Sequence, residues 1–257
     1  MILARTIADV GTALGHPPPG TRVGFVPTMG AFHAGHVSLF SAARRDSDIV
    51  VVSLFVNPSQ FGDPKDLFAY PRDEARDASM AEAAGVDVLF VPSVEEMYPE
   101  GFETWIDLGH LSRVLEGEFR PGHFRGVATV CLKLFHIVKP THAYFGQKDA
   151  QQVEVIRRMV RDLNLDLELS IQPTLRDPDG LAMSSRNVRL SPDARAKALA
   201  LPRALATRDP EKARQLLHDV EVEYVEVAPF DPPVLAAAIR VGGVRLIDNV
   251  RLDGGSS

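Results

Sequence analysis

The chain is expected to fold as an α/β protein: a Rossmann-like doubly wound parallel sheet followed by a second, smaller α+β domain at the C-terminal end. Three observations predict this. Short apolar runs alternate with helix-length segments over residues 20–171, the pattern of successive βα units. One of the runs, Ile49-Val-Val-Val-Ser-Leu-Phe-Val56, is unbroken and largely β-branched, as suits a strand covered on both faces. Past residue 172 the texture changes to Pro173-Thr-Leu-Arg-Asp-Pro-Asp-Gly180, a turn-rich linker, which divides the chain at 1–172 and 173–257.

Taken in order, residues 2–14 read as a short helix closed by Gly15 and the Pro17-Pro-Pro-Gly20 turn. A short strand at 23–26 leads into a Pro27-Thr-Met-Gly30 turn and a helix starting near Gly35, with Arg44-Arg45 complementing the dipole at its far end. The strand at 49–56 ends in Asn57-Pro-Ser-Gln-Phe61, and 64–70 continue as loop. Residues 74–84 have helical character stopped by Gly85, and 86–91 form the next strand. Residues 92–124 read as irregular, with a short strand around Trp105. A long apolar helix covers 125–138, and His142-Ala-Tyr-Phe-Gly146 is a strand. Asp149 with Gln152 three residues on matches a capping box for the helix that follows. Ser191-Pro192 opens a helix by the Ser N-cap and Pro N1 rule. A second helix (211–218), a strand (221–227), a last strand (244–247) and a frayed tail, Gly254-Gly-Ser-Ser257, complete the small domain.

Composition narrows the function classes. With 257 residues, 45% hydrophobic and 24% charged, the chain has the make-up of an ordinary soluble globular protein. The net charge is −6 and no Lys/Arg block stands out, which argues against nucleic acid as the main partner. An anionic small molecule needs only a few local cations. Cys131 is the single cysteine, so no disulfide forms within the chain, and its place in the apolar run 127–138 reads as core packing. The N-terminus has Arg5 and Asp9 inside it and no long apolar stretch, unlike a signal peptide. No unbroken apolar run reaches the length of a membrane span. A cytoplasmic location is expected.

The candidate chemistry sits at strand ends. Gly30 and Gly35 let backbone pass close to a ligand, and a helix N-terminus there suits a phosphate. His33 and His36 lie three apart and would share a face of the first helical turn. Such a pair serves as phosphate contacts, as part of a metal site or as ordinary structure, although a zinc site would want three or four ligands. Lys148, after Gly146, could reach a phosphate as a point charge, or be a solvated lysine beside a capping Asp149. Met183-Ser-Ser-Arg-Asn187 places two hydroxyls and a guanidinium in one loop, where Arg186 could neutralise a transferring phosphoryl group. Asn57 and Gln60 are pocket amides or simple turn residues. Both G-x-x-x-x-G-K-[ST] and G-x-G-x-x-G after the first strand are absent. No protein nucleophile is evident, so positioning and charge neutralisation would be the means of catalysis.

Together, Pro27-Thr-Met-Gly-Ala-Phe-His-Ala-Gly-His36, Phe55-Val-Asn-Pro-Ser-Gln-Phe61, Tyr70-Pro-Arg72, Gly146-Gln-Lys-Asp-Ala-Gln-Gln152, Asp179-Gly-Leu-Ala-Met-Ser-Ser-Arg-Asn187 and Leu246-Ile-Asp-Asn249 resemble the segments of the pantothenate synthetase (pantoate–β-alanine ligase) family, in order and over nearly the whole chain. The resemblance implies a Rossmann-type N-terminal domain binding ATP and pantoate, a smaller C-terminal lid, a homodimer and Mg-ATP. It implies adenylation of pantoate's carboxylate with loss of pyrophosphate, then attack by β-alanine to give pantothenate and AMP.

Carried over to this sequence, it makes His36, Lys148, His33 and Arg186 the catalytic residues. Pro27, Thr28, Met29, Gly30, Gly146, Gln147, Asp149, Met183, Ser184 and Ser185 join them around ATP. Gln60, Gln152, Met29 and Asn57 hold pantoate, and Asp77 is a candidate magnesium contact. Gln147 stands where the family usually has Glu. Two other readings stay open. One is a transferase of the same fold acting on a phosphate-bearing acceptor, which would want more cations near Asn57, Gln60 and Gln152. The other is a nucleotide-sensing module, which would have no use for a shielding loop bearing Arg186.

Overall fold

The protein is described by a computed structural model over residues 1–253; the tail at 254–257 lies outside the described residues. The chain forms two compact units. The first comprises Met1–Phe32, His36–Phe145 and Val155–Gln172; the second comprises His33–Gly35, Gly146–Glu154 and the residues from Pro173 onward.

In chain order the elements of the sheet-bearing part are β1 (Ile2–Ala4), α1 (Ile7–Leu14), β2 (Val23–Thr28), α2 (Ala34–Asp46), β3 (Ile49–Leu54), α3 (Pro64–Phe68), α4 (Glu74–Ala83), β4 (Val88–Phe90), α5 (Val94–Met97), α6 (Glu116–Phe119), α7 (His123–Val138), β5 (His142–Gly146), α8 (Ala150–Asp162) and β6 (Glu168–Gln172). Six strands form one sheet in the order β1-β4-β3-β2-β5-β6, and the β1–β4, β4–β3, β3–β2 and β2–β5 pairs are parallel. The order reverses at β2, where the chain first works outward through β3 and β4 and then crosses to β5 and β6. In such sheets ligands bind beyond the carboxyl ends of the strands at the reversal. Val26, Val50, Val52 and Leu89 from the strands pack with Phe32, Phe40 and Tyr144 in a cluster that excludes water. Each such side chain contributes about 1.5–3 kcal/mol on burial.

The second unit contains α9 (Pro192–Ala198), α10 (Ala200–Leu205), α11 (Pro210–Leu216), β7 (Glu221–Ala228), β8 (Val234–Val241) and β9 (Val244–Arg251). The strands form an antiparallel sheet in the order β7-β8-β9. Leu201, Leu205, Leu217, Val225, Leu235, Ile239 and Leu246 make its own apolar core. As expected, Ser191 caps α9, accepting the Ala194 N–H at 3.2 Å.

Several expectations need correction. The segment at 2–14 is not one helix. Ile2–Ala4 is a strand paired with β4, and α1 begins only after Thr6, which forms a capping box with Asp9. β2 runs two residues beyond Val26, taking in Pro27 and Thr28, so the turn is confined to Met29 and Gly30. Proline is tolerated because Pro27 pairs with Ser53 of β3, whereas the recorded pairing with β5 involves only Gly24 and Phe25. Residues 64–68 form the helix α3, capped by Asp63, not a loop. No strand forms around Trp105; its ring stacks on Tyr98 and lies under the Arg125 guanidinium.

Asp149 closes a 3-10 turn, Gln147–Asp149, that runs straight into α8. An N-cap keeps extended backbone, which Asp149 lacks, so the expected capping box is not formed there. β8 went unforeseen because Val234-Leu-Ala-Ala-Ala-Ile-Arg-Val241 carries a helix-favouring alanine run. Pairing on both edges, with β7 and β9, overrides that preference.

Candidate active site

The cluster of amide side chains belongs to the first unit. β2 ends at Thr28, whose hydroxyl donates to the Ser53 carbonyl at 2.6 Å and accepts the Gly30 N–H at 3.2 Å. Gly30 and Ala31 then both adopt positive φ, +82° and +52°. For alanine this backbone is strained and needs holding. Asp77 on α4 does so: its Oδ2 accepts the Ala31 N–H at 2.6 Å and its Oδ1 the Phe32 N–H at 2.8 Å. The carboxylate is 1% exposed, and a Cβ at Gly30 would lie 3.0 Å from it. Asp77 is thereby committed to the turn, and its surroundings do not fit a magnesium ligand, which would keep water and phosphate oxygens around the ion.

Asn57 caps the 3-10 turn Pro58–Gln60. Its Oδ1 accepts the Ser59 hydroxyl at 2.8 Å and the Tyr98 hydroxyl at 2.9 Å. Burial pushes the Tyr98 phenol above its ordinary range, so it stays protonated and donates. The other end of Asn57, Nδ2, donates to Gln60 Oε1 at 2.9 Å and to the Gly126 carbonyl at 3.2 Å. The Gln60 amide is thus oriented with its oxygen toward Asn57 and its Nε2 toward Met29, 3.2 Å from the sulfur. Its backbone is held as well. Arginine offers only donors, so at 3.0 Å from Arg120 the His123 Nε2 accepts, and Nδ1–H donates to the Gln60 carbonyl at 2.9 Å.

A cavity of about 360 Å³ lies in this unit, with Met29, Gly30, Phe55, Pro58, Arg72 and Asp77 among its walls. His36 stands in the first turn of α2 with its ring 5.5 Å from that of Phe32. Burial pushes the Cys131 thiol up to about 12, in keeping with a packing role.

The cationic turns belong to the second unit. His33 is not on the helix face expected for it; it precedes α2, and its Nδ1 accepts the Gly35 N–H at 3.1 Å. That bond puts the proton of a neutral ring on Nε2, the edge suited to an anion. The imidazole itself calls for glycine at 35: a Cβ there would sit 2.8 Å from His33 Cε1, and it would also lie 3.8 Å from the Met183 Cβ. Lys148 is in the Gln147–Asp149 turn, 19% exposed, with Nζ 3.9 Å from Asp149 Oδ1. Gln152 follows in the first turn of α8.

The loop at 183–186 grows from a tight reversal. Asp177 N–H donates to the Leu181 carbonyl at 2.8 Å, and Met183 N–H to that of Leu175 at 2.9 Å. Ser184 caps the 3-10 turn Ser185–Arg189, accepting the Arg186 N–H at 3.2 Å. Arg195 braces the reversal through Asp177 (2.7 Å) and Asp179 (2.8 Å), holding the Asp179 carboxyl below the usual carboxylate range.

Within the first unit, then, Met29, Asn57 and Gln60 meet, with Pro27, Thr28, Gly30, His36 and Asp77 in the same unit. Within the second lie His33, Gly146, Gln147, Lys148, Asp149, Gln152, Met183, Ser184, Ser185 and Arg186. Sequence reasoning assigned no role to Tyr98, His123 or Asn249. Only Asn249 left a trace, as the last residue of the Leu246-Ile-Asp-Asn249 segment.

A doubly wound parallel sheet whose ligand-type residues cluster on turns after its strands is the architecture of a nucleotide-handling α/β protein. Residues 3–251 match the family model described as pantoate–β-alanine ligase. The chain is 52% identical to the pantothenate synthetase of Chloroflexus aurantiacus, covering 90% of this chain and 92% of the relative. It is 48% identical to that of Pelotomaculum thermopropionicum, over 98% and 99%. A crystal structure of pantothenate synthetase from Thermus thermophilus superposes with a TM-score of 0.91 at 44% identity, over 98% and 99% of the two chains. The Francisella tularensis pantoate–β-alanine ligase, crystallised with a β,γ-ATP compound and β-alanine, gives 0.90 at 36% identity over the full length of both. The chain belongs to the pantoate–β-alanine ligase family, whose reaction joins pantoate to β-alanine through a carbon–nitrogen bond.

Proposed function

We propose that the chain carries out this ligation with ATP, through a pantoyl-adenylate. One observation carries the reading: His33, Lys148 and Arg186, on segments remote in sequence, fall within one compact unit. The charges of Lys148 and Arg186, with N–H donors from His33 and His36, remove the repulsion between an anionic acid and a triphosphate. Pantoate's carboxylate, ionised near neutral pH, needs no general base. A carboxylate oxygen attacks the α-phosphorus and the bond to pyrophosphate breaks. The β-alanine amine, once deprotonated, then attacks the acyl carbon, and AMP leaves with the carbon–oxygen bond pair.

Gln60 presents Nε2–H to pantoate, and Asn57 supports Gln60; Gln152 and Met29 complete that pocket. Pro27, Thr28, Gly30, Gly146, Gln147, Asp149, Met183, Ser184 and Ser185 line the ATP site. A Mg²⁺ ion bound with the triphosphate would supply further neutralisation of its charge. Among the described residues no group of three or more His, Cys, Asp or Glu could hold a metal ion. No helix among the described residues is long and apolar enough to cross a membrane. The reading includes a cytoplasmic homodimer, with residues 1–172 binding ATP and pantoate and 173–257 closing over them as a lid.

ATP–pyrophosphate exchange tests it. Exchange should depend on pantoate and not on β-alanine, and Lys148→Ala should slow it at least a hundredfold, the scale of losing one charge-stabilising donor. Exchange without pantoate, or a loss under threefold in Lys148→Ala, would reject the proposal.

A further inference from the structure

Lys148 sits on a short 3-10 turn, Gln147–Asp149, and a lysine that steadies a transferring phosphoryl group must be held in place. Asn249, in the middle of β9, supplies the hold. Its Nδ2 donates to the Gln147 carbonyl at 2.9 Å and to the Lys148 carbonyl at 2.9 Å. Its Oδ1 accepts Gln147 Nε2–H at 3.3 Å. Both amide hydrogens and the amide oxygen are therefore spent on one turn, and the residue is 2% exposed. Only an amide of this length offers two donors and an acceptor there; aspartate would set an oxygen against two carbonyls.

The strand around it is built to the same end. Asn249 pairs with Ala236 and Asp248 with Ala237, so small residues of β8 stand opposite both. The Asn249 N–H donates to Asp248 Oδ1 at 2.8 Å. Asp248 in turn takes a bidentate pair from Arg176 (2.6 and 3.2 Å), and Arg176 also donates to the Gly180 carbonyl at 3.3 Å. Consecutive residues of one strand thus tie down the Lys148 turn and the reversal that precedes the Arg186 loop.

We propose that Asn249 is a positioning residue for the ligase reaction, acting through Lys148. This rests on the reading of Lys148 as a phosphate contact, and the test separates the two. Asn249→Ala should lower the adenylation rate in pyrophosphate exchange about 10- to 100-fold, the scale on which small misplacements of a catalytic group act. KM for pantoate should stay within twofold, since Gln60 is held by other residues. Combined with Lys148→Ala, the effect should largely vanish, the double variant falling within about threefold of Lys148→Ala alone.

Effects that multiply, an unchanged rate in Asn249→Ala, or a pantoate KM that worsens as much as the rate does, would each overturn the proposal. A Lys148→Ala rate within threefold of the parent would instead reject the assignment of Lys148, and the positioning role with it. If Asn249→Ala does not fold, Asn249→Ser, which keeps one donor, is measured the same way. It should lose about 3- to 10-fold in rate with pantoate KM unchanged, and a parental rate would overturn the proposal.

Discussion

At the scale of the residue, the site is a set of side chains whose freedom has been removed by their neighbours. Asn57 orients Gln60, His123 holds the Gln60 backbone, and Gly35 supplies the N–H that sets the His33 tautomer. Asp77 shows how a burial value redirects a functional reading. A carboxylate that is 1% exposed and receives the N–H groups of Ala31 and Phe32 is holding backbone, not awaiting a cation. Asp77→Asn keeps the shape but turns a donor toward one of those N–H groups. It should cost about 2–3 kcal/mol of unfolding free energy in urea, the scale of a buried bond to a charged group. The magnesium midpoint of exchange activity should stay within twofold; a tenfold rise would return Asp77 to the metal.

At the scale of the element, the side proposed to hold pantoate depends on how closely α7 approaches the turn at 58–60. Gly126 lies on that face, where an added Cβ would collide with the Ser59 carbonyl oxygen and lie 2.7 Å from the Gln60 nitrogen. Replacing a helical glycine by alanine ordinarily stabilises a helix by up to about 1 kcal/mol. Here the obstacle is backbone, which cannot swing aside, and overpacking of this kind costs about 1–3 kcal/mol. Gly126→Ala should therefore lower the melting temperature and raise KM for pantoate. A variant with a parental melting point and KM would show that α7 and the turn are not in close contact.

At the scale of the whole molecule, each unit has a core of its own. Leu235 is fully buried in the cluster of the second unit, among Leu201, Val225 and Leu246. Leu235→Ala should cost about 2–5 kcal/mol, the usual range for a large-to-small change in a core. Hydrogen exchange is the informative readout. Amides of β7, β8 and β9 should lose protection while those of β2 and β3 keep theirs. Equal loss in both sheets would mean that the units unfold as one.

The sequence by itself determined the α/β class, the βα alternation and the family, because hydrophobic period, cap residues and contiguous motifs are local properties of a chain. Its errors were local preferences overruled from a distance. The alanine-rich run at 234–241 became the central strand of a sheet, and Ile2–Ala4 joined β4 across more than eighty residues. Roles that act through a second residue stayed hidden for the same reason. Nothing near Asn249 in the chain says that its amide closes on the carbonyls of Gln147 and Lys148, and nothing near Asp77 says that Ala31 needs it. Hydrogen bonds between segments so far apart exist only once the chain has folded, so only the tertiary structure could decide which polar residues act on a ligand and which hold the others in place.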